Sequence, residues 1–197
     1  MDISKNTVYK DTSSILRRLD NTRDTPKTRA ILANIRNSIE KNISNNIEAL
    51  AFVFSNMPEE FVGNRKELNN YEKSVLTSIQ MYALHQQSKL ESVLKLDYND
   101  GEYRENLGDA LSSLRGKDSM SIDRRFNAMI TSSNFKEFKI HLRHMIKLLK
   151  ARSEVRVDYA SLSDDIYWLL NGQKENIKIK WARSYYKFRK EENEGEN

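Results

Sequence analysis

Apolar residues recur at three- and four-residue intervals in one stretch of this chain after another. No stretch shows the alternation, period two, of a half-buried strand. With 6 Gly and 2 Pro in 197 residues, few positions can break a helix. The pattern predicts an all-α protein: two small helical bundles packed together, with no sheet.

The expected helices follow in order. Val8 to Leu19 turns Ile15, Leu16 and Leu19 inward. Thr25 caps a helix that opens on Pro26 and buries Ile31, Leu32, Ile35 and Ile39. Asn45 to Met57 is short and apolar and closes at Pro58, and Leu68 to Gln87 presents Tyr71, Val75, Leu76, Ile79, Tyr82 and Ala83 on one face. The polar stretch Leu96 to Asn106 contains Asp100-Gly101, a turn signal. We place a linker loop at 97–106, between an N-terminal bundle over 1–96 and a C-terminal bundle over 107–190. Leu107 to Leu114 holds Gly108, which costs helix propensity and is explained by close approach of another helix. Ser121 is the expected cap of a helix burying Ile122, Phe126, Met129 and Ile130. Asp158 caps a helix with Tyr159, Leu162, Ile166, Leu169 and Leu170 inward, which ends at Asn171-Gly172. The last helix, about Glu175 to Lys190, turns Ile177, Trp181, Ser184 and Phe188 to one side, leaving Tyr185 and Tyr186 more open, and the tail EENEGEN at 191–197 is expected to be disordered.

Charge is unevenly placed. Residues 1–114 carry 15 Lys/Arg against 16 Asp/Glu, residues 115–190 carry 18 against 8, and the last seven residues carry four Glu. A localised cationic excess points to an anionic partner. Its core is the helix Asn134 to Lys150. Phe135, Phe138, Leu142, Met145, Ile146 and Leu149 form one stripe, and Lys136, Lys139, Arg143, Lys147 and Lys150 form another, with no acid among them. A solvated face normally mixes signs, because like charges at this spacing repel. The basic stripe spans roughly 21 Å, a length suited to several phosphates. Lys180, Arg183, Lys187 and Lys190 make a second stripe on the last helix, and Arg29, Arg36 and Arg124 lie on polar faces of earlier helices.

Other chemistry finds little support. Cysteine is absent, which excludes disulfides, thiol catalysis and cysteine metal sites and fits a cytoplasmic protein. The N-terminus shows no secretory apolar region, and no run is long enough to cross a membrane. Glu137, His141 and His144 share a flank of the stripe helix, but no third histidine stands near; surface or capping roles are expected, with no metal and no cofactor. His85 is expected to be a partly buried core residue. No phosphate-binding glycine loop and no catalytic signature is present, so no catalytic residue is assigned. Asp164 and Asp165 are adjacent and diverge by about 100° on a helix.

The order Leu-Gly-x-Ala-Leu (107–111), Arg-Arg-Phe (124–126), Leu142-Arg143, Leu-Leu-Lys (148–150), Val-Asp-Tyr (157–159), Trp168 and Trp-Ala-Arg-x-Tyr-Tyr (181–186) resembles the CasB family, the small subunit of the type I-E CRISPR Cascade complex. The likeness is strongest over 107–186 and extends more thinly over 25–90, through Arg29-Ala30, Leu32 and Arg36 and through Tyr82 to His85. Three features depart from the family pattern: Tyr159 where tryptophan is frequent, His144 where a second arginine is common, and an acidic loop with Asp97, Asp100, Glu102 and Glu105.

The resemblance implies a non-catalytic protein of two helical bundles, present in two copies, that holds the guide RNA–target DNA heteroduplex and the displaced DNA strand and so stabilises the R-loop in antiviral defence. Its partners would be guide RNA and target DNA, the backbone and large Cascade subunits, and a second copy of itself, with no membrane. The phosphate-contact candidates are Arg29, Arg36, Arg124, Lys136, Lys139, Arg143, Lys147, Lys150, Lys180, Arg183 and Lys187. The alternative reading is a helical adaptor whose basic face binds an acidic protein.

Overall fold

The computed structural model describes residues 7–39, 47–99, 101–116 and 119–187. Asp100, the end of the last expected helix at 188–190 and the acidic tail at 191–197 lie outside the described residues. Among the described residues the chain is all-α: α1 (Thr7–Asn21), α2 (Pro26–Asn37), α3 (Ile47–Phe54), α4 (Asn70–Gln86), α5 (Leu107–Leu111), α6 (Met120–Ile130), α7 (Phe135–Arg152), α8 (Tyr159–Leu170) and α9 (Lys174–Tyr186). No strand forms among them; a lone parallel bridge pairs Leu94 with Val157.

The helix ends follow local chemistry. Thr25 accepts a bond from the Thr28 amide with Pro26 in the first turn, and Asp158 accepts one from the Ser161 amide at 2.8 Å. Asn69 and Glu72 form a reciprocal capping box at the start of α4. Gly172, at φ +89°, closes α8, and the Gln173 amide reaches back to the Trp168 carbonyl at 2.9 Å. The cap expected at Ser121 is not formed, because α6 starts at Met120 and Ser121 lies inside it. Ser119 takes the capping position, but its hydroxyl donates to Asp123 Oδ2 at 3.3 Å and makes no cap bond.

The core is built around α4. Its sequence suggests one apolar face, yet every residue from Tyr71 to Gln86 except Lys73 is buried. The cause is tertiary: α1, α2, α7 and α8 all pack against it. Its polar residues are accommodated by specific partners. Ser74 donates to the Tyr71 carbonyl at 2.7 Å, Ser78 donates to the Tyr159 carbonyl, and Gln86 takes the Val93 amide at 3.0 Å and donates to the Glu91 carbonyl at 2.9 Å. α8, from the C-terminal half of the chain, lies on both α1 and α4, and α9 packs on α5 and α8. One continuous apolar cluster runs from Val8 to Tyr185.

Two buried titratable groups make opposite demands on pH. His85, fully buried, sets Nδ1 at 2.9 Å from the Tyr159 hydroxyl. Burial, helped by the charges of Lys89 and Lys150, pushes its pKa down to about 4. Asp158 is pushed up to about 6 by burial, against hydrogen bonds from Ser161 and Tyr98. The depressed histidine contributes stability in full above its ordinary 6.5 and loses it as pH falls through 4. The raised carboxyl contributes in full below its ordinary 3.8 and loses it as pH rises through 6. The two oppose each other across the window between. Asp158→Asn keeps a capping oxygen and removes one side of this balance. Between pH 6.5 and 4 the variant, lacking the raised Asp158 carboxyl, is expected to lose on the order of 2–3 kcal/mol more stability than the parent, read by urea unfolding across that range. Parallel curves for variant and parent would refute the assignment.

Candidate nucleic-acid interface

α7 has the two faces its sequence prescribes. Phe138, Leu142, Met145, Ile146 and Leu149 are buried against α4 and α6, while Lys136 and Lys147 are exposed and Lys139, Arg143 and Lys150 half-buried. α2 packs on α4 as well, and Lys147 and Lys150 of α7 come near Arg36 of α2 at the C-terminal end of α4. A groove of about 350 Å³ there is lined by Arg29 and Arg36 of α2 together with Gln87 and Lys89. Lys150 is close enough to feel the rest: burial first, then the charges of Arg36, Lys89 and Lys147, push its pKa below the usual lysine range. Arg36, Lys147 and Lys150 therefore share one surface with Lys89, and Arg29 flanks it, 3.6 Å from Asp24.

Lys89 and Arg125 extend this surface, and neither was singled out from sequence. Lys89 follows the end of α4, where a basic residue answers the helix dipole in many proteins and is not diagnostic. It pairs with exposed Glu154 at 2.7 Å. Arg125 comes from α6: burial, then the charges of Arg143, His141, Lys147 and Arg125, hold His144 below the ordinary histidine value.

Two stripe lysines are held by the protein. Lys139 donates to Gln80 Oε1 at 3.3 Å and Lys150 donates to Gln87 Oε1 at 3.0 Å. Burial alone lowers the Lys139 pKa.

The α9 residues stand elsewhere. Lys180 reaches across to α8 and pairs with Asp165 at 2.7 Å, and that buried carboxylate also accepts from the Trp181 indole at 2.6 Å. Arg183 is exposed on the same helix, and Lys187 is exposed just past its end. Arg124 is exposed on α6, its guanidinium 3.4 Å from Met120 Sδ and one turn from Asn127, which takes the Tyr186 hydroxyl at 3.0 Å. It thus lies on the α9 side of α6, away from Arg125. Tyr185, read from sequence as open, is fully buried: it stacks on Phe126 at 3.8 Å and donates to Asp123 at 2.7 Å. Tyr186 stays partly exposed, with the Arg115 guanidinium 4.9 Å from its ring.

Lys180 has a structural duty. Lys180→Met is expected to cost about 2 kcal/mol of stability, since Asp165 keeps only the indole. The loss falls short of that for a sealed pair because the Lys180 side chain is 43% exposed and water can replace it. A thermal melt reads the loss; an unchanged melting temperature would contradict it.

Glu137 turns back to the start of its helix. Its carboxylate accepts from the Ser133 amide and hydroxyl, both at 2.7 Å, and those bonds hold its pKa below the usual range. His141 is 3.9 Å from it. Among the described residues no group of three His, Cys, Asp or Glu is placed to hold a metal ion, and no helix is long and apolar enough to cross a membrane.

Residues 31–186 match the family model of the CRISPR-associated protein Cse2, and the chain belongs to the Cse2 (CasB) family. The resemblance seen in the sequence is thereby confirmed. The fold agrees. CasB from Thermobifida fusca superposes with a TM-score of 0.70 at 21% identity, covering 90% of this chain and 97% of its own. A Cse2-family protein from Thermus thermophilus gives 0.63 at 20% identity, with 89% and 97% covered. CasB from M. ruber gives 0.60 at 23%, with 89% and 92% covered. No curated protein sequence matches the chain.

Proposed function

We propose that this protein is the non-catalytic small subunit of a type I-E CRISPR Cascade complex, where it holds nucleic acid by its phosphate backbone and stabilises the R-loop. The observation that carries this reading is the continuity of charge from the acid-free stripe of α7 to Arg36 and Arg29 of α2. Crowding like charges costs stability, and phosphates are the partner that repays it.

In a guide-directed complex the sequence is read by base pairing, so a subunit of this kind needs only to fit shape and backbone. Exchange of DNA duplex for heteroduplex is nearly balanced, and a few kcal/mol of backbone contact tip it. Lys136, Arg143, Lys147, Arg29 and Arg36 are the phosphate contacts of the α2–α7 surface, while Arg183, Lys187 and Arg124 offer a separate cationic face. The partners are guide RNA, target DNA, the backbone and large subunits and a second copy of the chain, assembled in the cytoplasm without a cofactor.

The adaptor reading draws on two exposed apolar residues within the basic surface: Leu90, 90% exposed beside Lys89, and Ile140, 48% exposed between Lys136 and Arg143. An acidic protein with apolar side chains would suit them. Affinity capture of the tagged chain from cells carrying its CRISPR locus separates the readings. Guide RNA and the other Cascade subunits are expected to co-elute; an acidic protein partner recovered without RNA would favour the adaptor.

A further inference from the structure

Lys139 does not end freely in solvent. Its ammonium donates to Gln80 Oε1 at 3.3 Å, Gln80 Nε2 donates to Ser38 Oγ at 2.8 Å, and the Ser38 hydroxyl donates to the Ile35 carbonyl at 2.6 Å. The three bonds run in one direction, each group acting in a role it can fill. The chain crosses from α7 through α4 to the C-terminal turn of α2. Gln80 and Ser38 are 0% and 2% exposed, so neither can exchange these partners for water. Gln80 is the one side chain of this relay that touches both outer helices. Seven residues later, just past the end of α4, exposed Gln87 accepts from the Lys150 ammonium at 3.0 Å. Burying an ammonium against a single neutral amide is a costly way to keep a lysine whose task is to meet phosphate. It is a sound way to hold α7 at a fixed setting.

We propose that Gln80 is a positioning residue for the cationic surface, and that Lys139 is its strut and not a phosphate contact. Through Lys139 and Ser38 it sets the exposed cations of α7, Lys136 and Lys147, against Arg36 of α2. This rests on the nucleic-acid reading above and divides the α7 stripe into residues that bind and residues that brace. Bracing matters here because phosphates along a strand are regularly spaced, so a cationic surface that slips in register loses several contacts together.

The experiment is a salt titration of binding to a labelled RNA–DNA duplex by the full chain and five variants: Lys139→Met, Lys147→Met, Gln80→Leu, Gln80→Glu and the double variant Lys139→Met with Gln80→Leu. Each phosphate contact contributes about 0.7 to 0.9 to the slope of log K against log salt. Lys147→Met is expected to lose one such increment. Lys139→Met and Gln80→Leu are each expected to weaken binding on the order of tenfold with the slope kept. The double variant is expected to be no worse than either single one, because both act on one strut. Gln80→Glu retains an acceptor for Lys139 but gives up the donor to Ser38, and is expected to bind more tightly than Gln80→Leu and less tightly than the parent. If Gln80→Leu fails to fold, the contrast between Lys139→Met and Lys147→Met carries the test. A slope loss in Lys139→Met equal to that of Lys147→Met makes Lys139 a phosphate contact and overturns the proposal. So does a lower melting temperature in Lys139→Met with affinity unchanged, which would make the relay merely structural. A parent chain that binds no duplex defeats the nucleic-acid reading, and the proposal falls with it.

Discussion

Gly108→Ala is expected to destabilise the protein by about 3 kcal/mol and to lower its melting temperature by about 6–12 °C. Gly108 opens α5 against the backbone of α9. A β-carbon there would overlap the Trp181 carbonyl oxygen and stand 3.0 Å from the Trp181 carbonyl carbon and 2.9 Å from Asn106 Oδ1. The obstacle is main chain, which cannot rotate aside as the tip of a long side chain does. The same contact is stitched by Asn106, which accepts from the Gly108 amide at 2.8 Å and donates to Ser184 Oγ at 2.6 Å. Forcing α9 outward would also disturb Trp181, its indole bond to Asp165 and the stack of Tyr185 on Phe126. Elsewhere in a helix the same substitution would stabilise by up to about 1 kcal/mol, so even the sign of the effect reports the close approach. Urea unfolding of the variant measures it, and an unchanged or raised midpoint would contradict the packing described.

Neutralising the cations where the two helices meet should move stability and binding in opposite directions. Arg36→Gln with Lys147→Gln removes two charges from the group around Lys150. Lys147 lies one turn from both Arg143 and Lys150, and like charges at this spacing each cost about 0.2–0.5 kcal/mol. Their relief is expected to raise the melting temperature by about 1–4 °C. The same change removes two phosphate contacts and is expected to weaken binding to an RNA–DNA duplex by about ten- to a hundredfold. A residue kept for the fold would fall in both assays; one kept for a partner gains in one and loses in the other. A drop in melting temperature with affinity unchanged would assign the pair to the fold.

What the sequence made legible was what local periodicity and caps encode. The all-α class, the two faces of α7, the caps at Thr25 and Asp158 and the close approach at Gly108 follow from spacing and residue type. What it concealed depends on contacts across helices. α4 carries Ser74, Thr77, Ser78 and Gln80 among its apolar residues, and these read as a solvent side until α8 takes Ser78, α7 takes Gln80 and all four are buried. Tyr185 reads as open until Phe126, from a helix far away in sequence, stacks on it. The candidate site was visible as charge but not as roles. Nothing local marks Lys139 as bound to Gln80, Lys150 to Gln87 or Lys180 to Asp165, nor shows that Arg36 joins α7 while Arg124 turns toward α9.

The most direct measurement is the salt dependence of binding to an RNA–DNA duplex, by the parent chain and by a variant with Arg29, Arg36, Lys136, Arg143 and Lys147 changed together to Gln. Five phosphate contacts at about 0.7 to 0.9 each predict a slope of log K against log salt of about −3.5 to −4.5 for the parent, and a nearly flat line for the folded variant. Binding by the parent that ignores salt, or a folded variant that keeps the parent's slope, would contradict the assignment of the α2–α7 surface to nucleic acid.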